Sequence, residues 1–128
     1  MRVVLDTNVW LDMLVFDDPA ARKLKAPPYE IVIDDACEAE LERVLAYPLG
    51  KWTLDEARRA ACVDRFRGLA RRVQGGEGAP LPRCQDPEDQ KFLALAATSR
   101  ADALVTKDEA LLRLRNRVPF RIARPAEL

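Results

Sequence analysis

Two short apolar runs end on acids. Val3-Val4-Leu5 runs into Asp6, and Ala103-Leu104-Val105 is followed by Thr106-Lys107-Asp108. Short apolar runs bounded by polar residues, with helical periodicity between them, are the pattern of parallel strands buried on both faces. A strand at 2–5 opens the chain. A helix from Asn8 to Phe16 follows, its apolar content supplied by Val9, Leu11, Leu14 and Val15. Asp17-Asp18-Pro19 starts a second short helix to about Lys25, which Pro27-Pro28 breaks. Glu30 to Ile33 is the next strand. A helix capped by Asp34 or Asp35 then runs to about Tyr47, with Cys37, Leu41, Val44 and Leu45 on its core face.

Thr53-Leu54-Asp55-Glu56 has the spacing of a capping box, which predicts that Thr53 opens a long arginine-rich helix to about Val73. Gly75-Gly76-Glu77-Gly78 then makes a loop. Asp86-Pro87-Glu88-Asp89 is another helix start, with proline at the first helical position and Phe92, Leu93, Ala96 and Ala97 as the stripe. A strand at 103–106, a short helix at 109–115 and a strand at 120–123 complete the chain. Residues 79–85 are a candidate irregular edge segment. Tyr47, Trp52 and the loop at 74–85 are candidates for dimer or substrate contacts, with core packing the favoured role of the two aromatics. The order predicts an α/β fold of one domain, residues 1–128. It is a three-layer α/β/α sandwich around a mostly parallel sheet of four or five strands.

Composition narrows the function. Hydrophobic residues at 48% and charged residues at 33% fit a globular chain rather than a disordered one. No apolar stretch spans a bilayer and no signal-peptide pattern opens the sequence, so a cytoplasmic location is expected. Cys37, Cys62 and Cys84 are few, odd in number and widely separated, which predicts buried reduced thiols. The net charge is zero but segregated. Residues 1–50 carry ten acids and five bases, whereas residues 51–73 carry seven bases against three acids. An acidic pocket beside a basic surface suits an anionic substrate held near a metal. There is no histidine, so the commonest general base is missing and metal-activated water is the simplest hydrolytic chemistry.

Four acids carry that chemistry. Asp6 and Asp108 follow strand ends, the edge where open parallel sheets bind ligands. Glu40 borders the apolar stripe of its helix, with Glu38 and Glu42 as more solvent-like alternatives. Asp89 is in line with Phe92 and Leu93 on a core face, where an unpartnered carboxylate is costly. Each acid also has an ordinary role, as a helix cap for Asp6 and Asp108, a dipole partner for Asp89 and a surface charge for Glu40. Asp86 is the better cap of its helix and a candidate fifth site acid. Brought together without a cation, these carboxylates would raise one another's pKa values. Hard oxygen ligands favour Mg²⁺ or Mn²⁺, as one ion or a pair.

The motifs resemble those of the PIN-domain family, the ribonuclease fold of VapC-type toxins. The resembling segments are Val4-Leu5-Asp6-Thr7-Asn8, Glu40 to Leu45, Cys84 to Ala96 with its Asp86-Pro87-Glu88-Asp89, and Ala101 to Asp108. They fall in the family's order over nearly the whole chain. The resemblance implies a catalytic quartet of Asp6, Glu40, Asp89 and Asp108, with Asp6, Asp89 and Asp108 as metal ligands. Glu40 would bind directly or through water. Thr7, Asn8, Asp86 and Thr106 would support them. It also implies Mg²⁺- or Mn²⁺-dependent cleavage of RNA, a cognate antitoxin and a homodimer. Arg58, Arg59 and Arg65 are the first candidates for RNA contact, with Arg67, Arg71 and Arg72 beyond them. Lys107 is a candidate partner for a site carboxylate.

Two other classes stay open on sequence alone. One is a catalytically silent interaction module that receives a partner helix in a groove near residues 41–66. The other is a phosphatase-like hydrolase with Asp6 as nucleophile. Such enzymes usually place a second Asp two residues on, where this chain has Asn8.

Overall fold

The computed structural model describes residues 1–75 and 80–128. Its main elements are β1 (Arg2–Leu5), α1 (Thr7–Leu14), α2 (Pro19–Arg22), β2 (Glu30–Ile33), α3 (Asp35–Leu45), α4 (Glu56–Leu69), β3 (Ala70–Arg72), α5 (Gln90–Thr98), β4 (Ala103–Val105), α6 (Glu109–Leu112) and β5 (Arg121–Ala123). Short 3₁₀ turns lie at Lys23–Lys25, Gly50–Trp52, Pro87–Asp89 and Pro125–Glu127.

All strand pairs are parallel, in the order β3-β2-β1-β4-β5. The chain leaves β1 toward β2 and β3, then returns to β1's other side for β4 and β5. That reversal puts a topological switch point between β1 and β4, and in open parallel sheets the crevice beyond such a point is where ligands bind. The register fixes what meets there. Leu5 pairs with Val105, so Asp6 and Thr106 lie level just past the strand ends. The Asp6 amide donates to the Val105 carbonyl at 2.9 Å, and the Thr106 amide to the Ala123 carbonyl at 2.9 Å.

Burial explains the strands. Val3, Val4, Leu5, Ala103, Leu104 and Val105 are at most 1% exposed, as expected for central strands covered on both faces. Trp10 of α1 meets Phe66 of α4 edge-on at 6.0 Å, and Phe92 and Leu93 of α5 are also buried. Such packing seats the helices that flank the acidic edge.

The long helix predicted from the sequence forms over most of its length, but its end is wrong. α4 stops at Leu69, and Ala70–Arg72 pairs with β2 as an edge strand. An Ala-Arg-Arg tripeptide carries no strand signal of its own. It is placed by backbone pairing with Ile31–Ile33, and its charge suits an exposed edge. The start also shifts. Asp55, not Thr53, caps α4 by accepting from the Arg58 amide at 2.8 Å. The Thr53 hydroxyl instead donates to the Gly50 carbonyl at 2.7 Å and accepts from the Leu49 amide at 2.8 Å. Residues 80–85 form no strand. Residue 79 and the glycine loop beyond Gly75 lie outside the described residues. Tyr47 and Trp52 are exposed rather than core, although Trp52 packs edge-on to Phe16 at 5.7 Å. The three thiols are buried and free, and burial is the first cause that pushes each above its ordinary pKa.

Candidate metal centre

Asp6 is 4% exposed at the end of β1. It precedes α1 without a side-chain cap hydrogen bond, although the nearby Asn8 and Thr7 amides act to lower its pKa. The Thr106 hydroxyl donates to Asp6 Oδ2 at 2.7 Å. Burial raises the Asp6 pKa. The Thr106 bond opposes that rise, and the nearby charge of Asp108 adds to it. Thr106 is itself fully buried, and its oxygen also accepts from the Asp108 amide at 3.0 Å. One hydroxyl thus fixes the ends of both central strands.

Asp108 caps α6, accepting from the Ala110 amide at 3.0 Å. Asp86 caps the turn before α5, accepting from the Glu88 amide at 3.0 Å. Each cap uses one carboxylate oxygen of two. Asp86, Asp89 and Asp108 each place one oxygen so that all three lie within 4.8 Å of one another. That spacing fits a shared cation, because hard divalent ions gather carboxylate oxygens from several residues.

Asp89 decides the character of the cluster. It is 8% exposed, and its Oδ2 is buried with no hydrogen-bond partner. Desolvation first, then the close approach of the Asp108 carboxyl and the charges of Asp6, Asp108 and Asp86, push its pKa up to about 8. A buried unpartnered oxygen costs stability unless something binds it. A divalent ion would supply both the missing partner and the missing charge, so these residues fit the metal expected from the sequence.

Glu40 stands one step away from this triad. The Thr7 hydroxyl donates to its Oε2, and Lys91 Nζ donates to its Oε1 at 2.8 Å. Because Thr7 follows Asp6 directly, Glu40 is coupled to the strand end through a single residue. Glu42 is committed elsewhere, to Arg67 at 2.8 Å. Glu38, expected to face solvent, is 4% exposed and paired with Arg67 at 3.0 Å and with Arg72. α3 is therefore rotated so that its inward acid meets the arginines of α4 and β3. Asn8 is exposed at the start of α1.

Lys107 pairs not with a site acid but with Asp12, Nζ to Oδ2 at 2.5 Å, as an ion pair without hydrogen-bond geometry. Asp12 is 7% exposed, and sequence reasoning missed it. Its signal was a lone acid in the otherwise apolar stretch Val9-Trp10-Leu11-Asp12-Met13-Leu14. Lys91 was missed as well. Of the candidate RNA-contacting arginines, Arg67, Arg71 and Arg72 are engaged with chain acids, Arg71 with Glu30 at 3.4 Å and Arg72 with Asp35 at 2.6 Å. Arg58 and Arg65 border a groove of about 180 Å³ with Leu14, Val15, Trp52 and Cys62, and Arg59 is half-buried on α4. A cavity of about 410 Å³ lies elsewhere, lined by Ile33, Glu38, Phe66, Arg67, Ala70 and Arg72. The charges lining that hollow are paired with one another.

A family model described as PIN domain matches residues 2–110. The chain belongs to the PIN-domain family. No curated protein is similar enough in sequence to count as a relative. Among solved structures, a chain of the crystal structure of VapBC2 from Rickettsia felis bound to a DNA fragment from their promoter is similar at 17% identity and a TM-score of 0.65. The match covers 96% of this PIN-domain protein and 97% of that chain. At that identity the likeness shows the fold, which agrees with the parallel α/β sandwich predicted from the sequence. Among the described residues, no helix is long and apolar enough to cross a membrane.

Proposed function

We propose that this PIN-domain protein is a Mg²⁺- or Mn²⁺-dependent endoribonuclease acting as the toxin of a toxin-antitoxin pair, with its whole chain forming one domain. The observation that carries the reading is the buried, unpartnered Asp89 Oδ2 beside Asp86 and Asp108 at the switch point of the sheet. Asp86, Asp89 and Asp108, whose oxygens gather, would hold the ion, with Asp6 acting on them through its charge. When bound, such an ion polarises a phosphoryl oxygen and makes water nucleophilic near neutral pH. The protein's own part is positional. Thr106 orients the Asp6 carboxylate and the Asp108 amide. Glu40 fixes, through Thr7, the turn that carries Asp6. Asn8 sits exposed beside this turn, available to a phosphate oxygen. Hydrolysis adds the water oxygen to phosphorus and breaks one bridging P–O bond, and the water's proton passes through a site carboxylate to the leaving oxygen, which departs as a hydroxyl.

Arg58, Arg59 and Arg65 are assigned to the RNA backbone, since Arg67, Arg71 and Arg72 are taken by acids. The Rickettsia felis structure, a VapBC2 assembly, supports a protein partner for this chain, and the family resemblance supports a homodimer. A cytoplasmic site of action follows from that role.

The test is cleavage of a mixed panel of end-labelled structured and single-stranded RNAs, with Mn²⁺ or Mg²⁺ and with EDTA. Wild type should cut at least one RNA in a metal-dependent way. Asp6→Asn and Asp89→Asn should each reduce the activity by a factor on the order of 100 or more, the scale of a removed transition-state stabiliser. Equal cleavage by wild type and both variants would assign the activity to a contaminant and remove the proposal.

A further inference from the structure

One acid of the site is already neutralised from within the chain, by Lys91. Lys91 Nζ donates to Glu40 Oε1 at 2.8 Å and also to the Glu88 carbonyl. Its ammonium lies 4.9 Å from the Phe92 ring centroid, close enough for a cation–π contact. The pair is sheltered, with 20% of the Lys91 side chain and 15% of the Glu40 side chain exposed. Glu40 Oε2 is taken by the Thr7 hydroxyl, so both carboxylate oxygens of Glu40 are occupied. Asp89 differs, because its Oδ2 is buried and has no partner. The oxygens of Asp86, Asp89 and Asp108 gather without Glu40.

We infer that Lys91 is a resident cation standing in place of a second divalent ion, so that the centre loads one ion at Asp86, Asp89 and Asp108 and leaves Glu40 to the lysine. The inference rests on the metal reading above and refines it. A second ion at Glu40 would have to displace an ammonium from the same oxygen, or sit beside it under like-charge repulsion in a partly desolvated site. Lys91 does not yield easily, because it is held by a carboxylate, a carbonyl and an aromatic face at once. It also lies two residues after Asp89, so the segment that presents the metal-binding acid presents the lysine. Lys91 is thus a positioning residue: it neutralises Glu40 and keeps that carboxylate on Thr7.

The experiment counts bound Mn²⁺ on the full, metal-stripped chain without RNA, by calorimetric titration and by electron paramagnetic resonance of the free ion. Wild type and Lys91→Arg should bind one Mn²⁺ per chain. Lys91→Met keeps the stem on Phe92 but removes the charge. It should bind two, and Lys91→Met with Glu40→Gln should return to one. If Lys91→Met does not fold, Lys91→Gln gives the same count. Two ions on wild type, or one ion on the neutral single variants, would overturn the role of Lys91 while leaving the metal centre standing. No Mn²⁺ on wild type would overturn the metal reading itself and this inference with it.

Discussion

Replacing Asp89 by Asn should change stability with opposite sign depending on metal. In the metal-free protein the Asp89 carboxyl is pushed up to about 8, so it prefers to keep its proton when folded. Unfolding returns it to the ordinary carboxylate range, and the unfolded chain releases that proton at lower pH. The folded state therefore binds more protons between about pH 4 and 8. The associated stability is complete below that window and is lost as pH rises through it. One pKa unit corresponds to about 1.4 kcal/mol. Because the neighbouring Asp86 is exposed and water reaches the rim, we expect about 2–3 kcal/mol across the window rather than the full shift. The asparagine side chain in Asp89→Asn carries no charge and escapes the loss. Metal-free Asp89→Asn should therefore be the more stable protein at about pH 8.5, with the gap closing toward about pH 5. Mn²⁺ at about 1,000-fold over its dissociation constant adds about 4.1 kcal/mol to wild type and reverses the order. At 100-fold over its dissociation constant, an ion that binds only the folded state adds about 2.7 kcal/mol. For a chain of this size that is roughly 10 °C in Tm. The assay is thermal unfolding of both proteins at about pH 5, 7 and 8.5, with EDTA or with graded Mn²⁺. If Asp89→Asn is less stable than wild type at the highest pH in EDTA, or if Mn²⁺ raises both proteins equally, then Asp89 is an ordinary helix-start acid and the reasoning fails.

Other outcomes follow from particular contacts. Thr106→Val removes the donor to Asp6 and the acceptor for the Asp108 amide, and should cost about 1–3 kcal/mol in urea unfolding. The cost should shrink as pH falls, because burial raises the Asp6 pKa and protonation relieves the undersatisfied carboxylate; a pH-independent cost would mean only a packing defect. Phe66→Ala removes a fully buried ring that supports Trp10 and should cost about 3–5 kcal/mol by the same measurement. Charge reversal of Arg58 and Arg65 should flatten the log–log salt dependence of RNA binding by roughly 0.7 for each single-strand phosphate that the arginines neutralise. An unchanged slope would take α4 out of the RNA interface.

The strand ends were the most readable part of the chain. Val3-Val4-Leu5-Asp6 and Ala103-Leu104-Val105 are apolar up to their ends because both faces of a central parallel strand are covered, and that requirement is local enough to show in the residues. Asp89 was readable for a related reason, since a carboxylate on the same helix face as Phe92 and Leu93 declares its own conflict. The motif order carried the family, which the match over residues 2–110 shows.

What the sequence did not decide was which charges would meet. Ala70-Arg71-Arg72 became a strand because the edge of β2 offered unpaired backbone groups, a partner set by tertiary packing and invisible in a polar tripeptide. Glu38 went inside and Glu42 stayed nearer solvent because α3 faces the arginines of α4 and β3. Lys91 met Glu40 across 51 positions of sequence, and Lys107 passed over the site acids for Asp12. Apolar periodicity is a property of neighbours along the chain, so the sequence by itself determined the sandwich and its acidic edge. Charge pairing depends on long side chains reaching across elements, and only the folded geometry determined which acids were neutralised from within and which were left without a partner.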